Sequence, residues 1–407
     1  MDSLHTIGER LAYLRRRRNV TQEGLAERSQ VSVDVIRRLE QGNRKTARLT
    51  SLASLARALD VELSTLLAPP PLLERPVNNG SDGGLLEIRR ALTAVDPPAD
   101  SGDQSETAEL PSLMELRQSA TRSWDIYQRG EYSVLGSVLP ELIFAIRHAT
   151  REFSGEEQLQ AYMALSTVCH IAAGVTVVLG KADLAYIACE RSIDAAEHAG
   201  NVVLKGAAQN LMSWIFRRQG RYEEAEHFAT GAAEEIEPSF VRSTPAQLSV
   251  FGSLLLNASG AAARNDRGEQ AEELLKVAHA AASRLGADRN DLWAVFGPTN
   301  VAMTAVNNAV ELDELGKALH LVDQAPRSGK VPPTWRARYL LNVAFAQCEF
   351  RRDEAAISTL FTVKEITPEW IKYHPLGRDV TYELLGRAST SQLPRLRELA
   401  DHLGLEP

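Results

Sequence analysis

Between residues 179 and 356 the chain returns five times to one short theme, a polar turn followed by a small residue. LGKADLA ends at Ala185, QGRYEEA at Ala225, NDRGEQA at Ala271, LDELGKA at Ala318, and FRRDEAA near Ala355. A weaker earlier copy, RGEYSVL, ends at Leu135. The five alanines are 40, 46, 47 and 37 residues apart. A small residue at a fixed place after a turn is what two closely approaching helices require. Units of this length cannot bury an apolar face alone and do so by stacking on their neighbours.

Charge-poor stretches lie between these turns, at Gln158–Gly180, Ser243–Ala263 and Leu292–Val310. Each is about as long as the ~20 residues that span a bilayer. Their polar residues argue against a membrane: Gln158, Gln160, His170, Gln247, Asn257, Pro298, Asn300, Asn307 and Asn308. Mean hydropathy over the chain is −0.21. The reading is of helices buried between two neighbours. The pattern resembles tetratricopeptide repeats, helix–turn–helix units of about 34 residues. QGRYEEAEHFATGAAEEIEP is the best copy, and the resemblance runs roughly from Ser112 to Leu405.

That resemblance implies a superhelix whose concave face is lined by the first helix of each pair. Counting back 13–15 positions from the repeat alanines gives His170, Asn210, Asn257 and Asn342, while the fourth unit has Asn300, Asn307 and Asn308 out of phase. An asparagine amide both donates and accepts, so a row of them can clamp a peptide backbone. His170, Asn210, Asn257, Asn300, Asn307 and Asn342 are therefore the candidate ligand-binding residues. The same amides could instead tie neighbouring helices together, and His170 could be a satisfied core histidine. Trp124, Trp214, Trp293 and Trp335 lie on inner-helix patterns and read as core.

Residues 1–68 differ in charge from the rest. They hold 12 Lys/Arg against 8 Asp/Glu, whereas the whole chain holds 45 against 53. A basic head on an acidic body suggests that the head alone meets a polyanion. Ile7, Leu11 and Leu14 form an apolar stripe, Thr21 and Ser32 read as helix caps, and only SQV separates the second and third helical patterns. Leucines at 52, 55 and 59 mark a fourth helix, and leucines at 63, 66 and 67 a short fifth. TQEGLAERSQVSVDVIRRLEQG (Thr21–Gly42) and LASLARALDVELSTLL (Leu52–Leu67) resemble the XRE/phage-repressor family of helix-turn-helix domains. The usual turn glycine is absent, with Ser29 and Gln30 in its place.

The resemblance implies that the third helix enters the major groove of double-stranded DNA by its N-terminal end. Ser32, Val33, Asp34, Arg37 and Arg38 would then face base edges and nearby phosphates. An arginine can take guanine bidentately, Asp34 can accept from cytosine, and Val33 can touch a thymine methyl. Gln22 matches a phosphate-anchoring glutamine of the family. Asn43, Arg44, Lys45 and Arg48 are expected backbone contacts, which set register. By family position Arg15 should pair with Glu40.

The run PPPLLERPVNNGSDGG and the stretch DPPADSGDQSETAELP cannot continue a helix and read as linker. They flank a short helical pattern at Leu85–Leu92. The expected organisation is a helix-turn-helix domain at 1–68, a linker with one short helix at 69–111, and a repeat domain at 112–407. The fold class is all-α: a five-helix repressor-type bundle followed by a tetratricopeptide-like solenoid. Three scattered cysteines and no secretory signal suggest the cytoplasm. No phosphate loop, HExxH, CxxC or GxSxG motif is present, and the nine histidines lack ligand spacing. No catalytic residue, metal or cofactor is expected, and an enzyme governed by DNA is the remotest reading.

The domain order resembles the RRNPP group of bacterial peptide-pheromone receptors. That resemblance implies a homodimeric transcription regulator whose repeat domain takes a short signalling peptide. The alternative is a regulator whose repeats dock a protein partner or only dimerise.

Overall fold

The computed structural model describes residues 6–18, 20–42, 47, 49–59, 61, 66, 81–94, 111–239, 242–325 and 331–405. Among them are nineteen α-helices and one small hairpin. Four helices form the head: α1 (Ile7–Arg17), α2 (Gln22–Ser29), α3 (Val33–Glu40) and α4 (Leu49–Ala58). Of the expected fifth, only Leu66 is described; it is helical and buried.

Local chemistry sets the head helices. Thr6 and Glu9 close a reciprocal capping box on α1, and the Thr21 and Ser32 side chains cap α2 and α3. Leu11, Leu25, Ile36, Leu39, Leu55 and Leu59 make the core, each at most 1% exposed. Burying one such side chain is worth about 1.5–3 kcal/mol. Gln30 occupies the left-handed region, φ 56°, where a glycine would sit without strain. Ser29 supports that turn: its hydroxyl donates to the Leu25 carbonyl and accepts from the Val31 N–H.

A helix α5 (Ser81–Thr93) follows, longer than its sequence pattern. It is not a free spacer: Ile88, Ala91 and Leu92 are buried, and Arg147 caps it by donating to the carbonyls of Ala91 and Ala94, both at 3.0 Å.

The body is a stack of helix pairs. In order these are α6 (Leu113–Arg129) with α7 (Tyr132–Glu152), α8 (Gly155–Val178) with α9 (Ala182–His198), and α10 (Val202–Arg218) with α11 (Tyr222–Glu235). Next come α12 (Pro245–Arg264) with α13 (Gly268–Leu285), α14 (Pro298–Glu311) with α15 (Leu315–Gln324), and α16 (Pro333–Glu349) with α17 (Asp353–Ile366). A 3-10 turn at Trp370–Tyr373, α18 (Pro375–Leu385) and α19 (Leu393–Leu403) close the end.

All six pairs turn in the same way. A residue with positive φ stands two places before the second helix: Gly130, Gly180, Gly220, Asp266, Asp313 and Arg351. The N–H of the following residue bonds back to a carbonyl five residues earlier, as in Lys181 to Thr176 and Arg267 to Ala262. That is the Schellman stop. The repeat residue is then the fourth of the second helix, fully or almost fully buried at Leu135, Ala185, Ala225, Ala271 and Ala318. In the last pair this place belongs to Ala356, not Ala355, which is only half-buried. Ser213 and Ser259 on the facing helices donate to the carbonyls of Ala225 and Ala271, locking two of these approaches.

One expectation fails. Leu292–Val310 is not a continuous helix: β1 (Arg289–Asp291) pairs antiparallel with β2 (Ala294–Phe296), and α14 starts only at Pro298. Gly297, at φ 151°, and Pro298 break the helix there. Helix α8 is long and apolar enough to cross a membrane, yet 72% of its apolar window is buried inside the body.

Candidate functional site

Helix α3 offers one face to the head core and the other to solvent. Ile36 and Leu39 are buried, while Ser32, Asp34, Arg37 and Arg38 are exposed and Val33 is half-buried. Asp34 and Arg38 form an exposed ion pair one turn apart, at 2.9 Å. Such a pair is weak in water and breaks readily for a stronger partner. Gln22 is engaged within the head, its amide donating to Glu40 at 2.7 Å. Arg15 grips the same carboxylate with Nε and Nη2, both at 2.7 Å, and gives Nη1 to the Val20 carbonyl. Burial alone would raise the Glu40 carboxyl. The hydrogen bonds from Arg15 and Gln22, with the charges of Arg15 and Arg16, outweigh it and hold the group below its ordinary range. Asn43, Arg44, Lys45 and Arg48 lie outside the described residues.

The body holds a half-open cavity of about 160 Å³. All five tryptophans of the chain line it: Trp124, Trp214, Trp293, Trp335 and Trp370. Four of these read as core in the sequence; they are packed side chains that also wall the cavity. Trp124 sits 5.0 Å from both Tyr127 and Trp293, centroid to centroid, and stands edge-on to His170 at 5.2 Å. Burial pushes His170 down to about 4, so it is neutral near pH 7.

Five of the six candidate ligand residues line this cavity: His170, Asn210, Asn257, Asn300 and Asn307. Asn342 does not; it donates to Asn307 Oδ1 from behind the wall, at 2.8 Å. The amides also bond to each other and to the backbone. Asn257 donates to the carbonyl and the side-chain oxygen of Asn210, both at 2.8 Å, Asn300 donates to the Val295 carbonyl, and Asn308 donates to Ser259. They therefore tie adjacent helices, and the hairpin, to one another.

The cationic part of the wall was not among the expected site residues. Arg217 and Arg338 line the cavity. Arg217 gives Nη1 to Asn257 Oδ1 at 2.6 Å, and its buried Nε finds no acceptor among the described residues. Arg338 lies over the Trp214 ring, 4.6 Å from its centroid. Arg264 stands nearby, paired with Glu311 at 2.7 Å. Burial first, then Arg264 and Arg338, push Arg217 down to about 9, still charged at neutral pH. The signal was spacing: Arg217 follows Asn210, and Arg264 follows Asn257, by two helical turns, hence on the same face.

Leu292 and Trp293 reach the cavity from the tip of the β1–β2 hairpin. Both hold positive φ, 45° and 62°, in a two-residue turn that ordinarily takes Asn-Gly. Each such residue costs about 1–3 kcal/mol, a strain that collects at functional sites.

Head and body touch. Arg57 on α4 donates to the Gly220 carbonyl at 3.3 Å, in the turn that follows Arg217 and Arg218. Arg10 on α1 lies within electrostatic range of Asp379 on α18, whose carboxyl burial pushes up to about 7 while Arg10 and Arg378 pull it back. Among the described residues, no group of three or more His, Cys, Asp or Glu could hold a metal ion.

Residues 6–68 match the family described as helix-turn-helix domain. The head is thus a helix-turn-helix domain, the module of DNA-binding regulators. No curated protein matches the chain. Among solved structures the chain is similar to Ton1535 from Thermococcus onnurineus NA1. The identity is 13%, over 72% of this chain and 91% of that one, with a TM-score of 0.27, a likeness too slight to extend to fold or function.

Proposed function

We propose that this protein is a sequence-specific transcription regulator that reads DNA with α3 and adjusts that reading to a ligand held in its helical body. The outward face of α3 carries the proposal: Ser32, Asp34, Arg37 and Arg38 are exposed within a matched helix-turn-helix domain. Base contacts come from these residues and Val33, and phosphate contacts from the segment after α3.

A single such head buries little surface on DNA, so two act together on half-sites about one helical turn apart. The body supplies the dimer. Exposed apolar side chains on α5 and α7, namely Leu86, Val134, Val138 and Phe144, suit that contact. The ligand is a short signalling peptide whose end enters the cavity, since about 160 Å³ admits a terminal residue and not an extended chain. Arg57 on Gly220, and Arg10 beside Asp379, give the body a hold on the head. A ligand that prefers one body geometry then shifts the population of head arrangements.

The test is selection of bound sequences from a random DNA pool with the full-length protein, then titration of the winning site. Enrichment of paired half-sites, weakened by Arg37→Ala, is expected. A pool that stays random would end the proposal.

A further inference from the structure

The cavity's chemistry narrows its ligand, and this step rests on the reading of the body as the sensing half. Arg217 and Arg338 line the cavity, with Arg218 and Arg264 close by: Arg264 and Arg338 both act on Arg217 and Arg218, and Arg264 acts on Arg338. Glu311 pairs with Arg264 at 2.7 Å. Arg217 and Arg338 face the cavity and form no ion pair with a described carboxylate. Charges drawn half out of water are costly unless an opposite charge meets them. Trp124 Nε1 and Arg217 Nε, both buried, are donors without an acceptor among the described residues. The wall therefore offers positive charge with no carboxylate of its own to meet it.

The rest of the wall sets tryptophan rings beside the amides of Asn210, Asn257, Asn300 and Asn307. Trp214 already carries Arg338 on its face, and Trp293 is held in place by a strained turn. A cavity near 150 Å³ accepts a benzene-sized guest. A cation would be repelled. A neutral apolar guest would leave the guanidiniums uncompensated.

We propose that the cavity recognises a carboxylate joined to a planar apolar ring, with the carboxylate on Arg217 and Arg338 and the ring among the tryptophans. Two sources share this chemistry: a free aromatic carboxylic acid, and the C-terminal aromatic residue of a peptide.

All five tryptophans line the site, so indole emission of the full-length protein reports occupancy directly. The probes are phenylacetate against phenylacetamide, and the tripeptide Gly-Gly-Phe against its C-terminal amide. At least one acid should give a saturable change, with its amide at least tenfold weaker. Arg338→Gln and Arg217→Gln should erase the preference for acid over amide at unchanged helicity, and Arg338→Lys should restore part of it. Response to phenylacetate alone assigns the free acid; response to the tripeptide alone assigns the peptide terminus.

Equal binding of acid and amide overturns the proposal, as does the absence of a saturable response to both acids in folded protein. DNA binding on the same samples separates the two readings. If both acids fail while DNA is still bound specifically, only the carboxylate assignment falls. If DNA binding fails, the regulator falls.

Discussion

Gly260 on α12 lies directly against the Arg217 guanidinium: a methyl group on its Cα would stand 2.7 Å from Nη2 and 2.9 Å from Cζ. The bare backbone there lets the side chain lie flat along the neighbouring helix, toward Asn257. Gly260→Ala should displace Arg217 with little loss of stability. The obstructed atoms are the tip of a flexible side chain, and alanine is better in a helix by about 1 kcal/mol. The expected outcome is a melting temperature within a few degrees of wild type, with phenylacetate or Gly-Gly-Phe binding at least tenfold weaker. Thermal denaturation and emission titration on one sample measure both.

Gly8 meets backbone instead. A Cβ there would stand 1.8 Å from the Leu39 carbonyl oxygen, where α1 crosses α3. Nothing flexible can yield, so Gly8→Ala should cost the head more than about 2 kcal/mol. Loss of DNA binding, with near-wild-type helicity from the body, is the expected result by band shift and circular dichroism.

Much of the fold could be read from the chain because it depends on local chemistry. The turn alanines, the Thr21 and Ser32 caps and the head leucines all act within a few residues of themselves. The hairpin could not, since Leu292 and Trp293 adopt positive φ against their own preferences, under packing from distant elements. The cavity was half legible. Spacing placed Asn210 and Asn257 on inner faces; Arg217 and Arg264 share those faces but stand in last helical turns, where basic residues are common for other reasons. Trp124, Trp214, Trp293 and Trp335 looked like core because a helix pattern says only that a residue is buried. That all five tryptophans meet depends on how distant helices pack together, which no single segment encodes.

Arg15 and Glu40 make the head acid-sensitive. The Glu40 carboxyl lies below its ordinary value in the folded state. Its contribution is therefore complete above the unfolded glutamate pKa and is lost as pH falls through the folded one. The side chains are only 12% and 5% exposed, so Glu40→Gln leaves Arg15 buried without its counter-charge. A loss of about 3 kcal/mol is expected near pH 7, shrinking toward acid pH. Melts of the head across that range would show the two curves converging as the carboxylate is protonated.

Asp379 has the opposite sign. Burial raises its carboxyl from 3.8 to about 7, so ionisation opposes folding. The penalty is absent below the unfolded value, grows as pH rises between the two, and is complete above the upper one. Asp379→Asn should melt above wild type at pH 8 and match it near pH 4. A variant that is less stable at both would mean that the attraction of Arg10 and Arg378 outweighs burial.

Arg37→Ala and Arg38→Ala should weaken binding to a selected DNA site by about 1–3 kcal/mol where the arginine is bidentate to guanine. Asp34→Ala should loosen base preference more than overall affinity, because it frees Arg38 from its 2.9 Å partner. Competition between selected and random duplexes at fixed salt distinguishes these effects.

The hairpin that delivers Leu292 and Trp293 stands outside the helical ladder, between α13 and α14. Its tip can be rewritten without disturbing any buried turn alanine or Schellman stop. Exchanging these two side chains would thus remould the cavity's mouth while the stacked helices behind it keep their form.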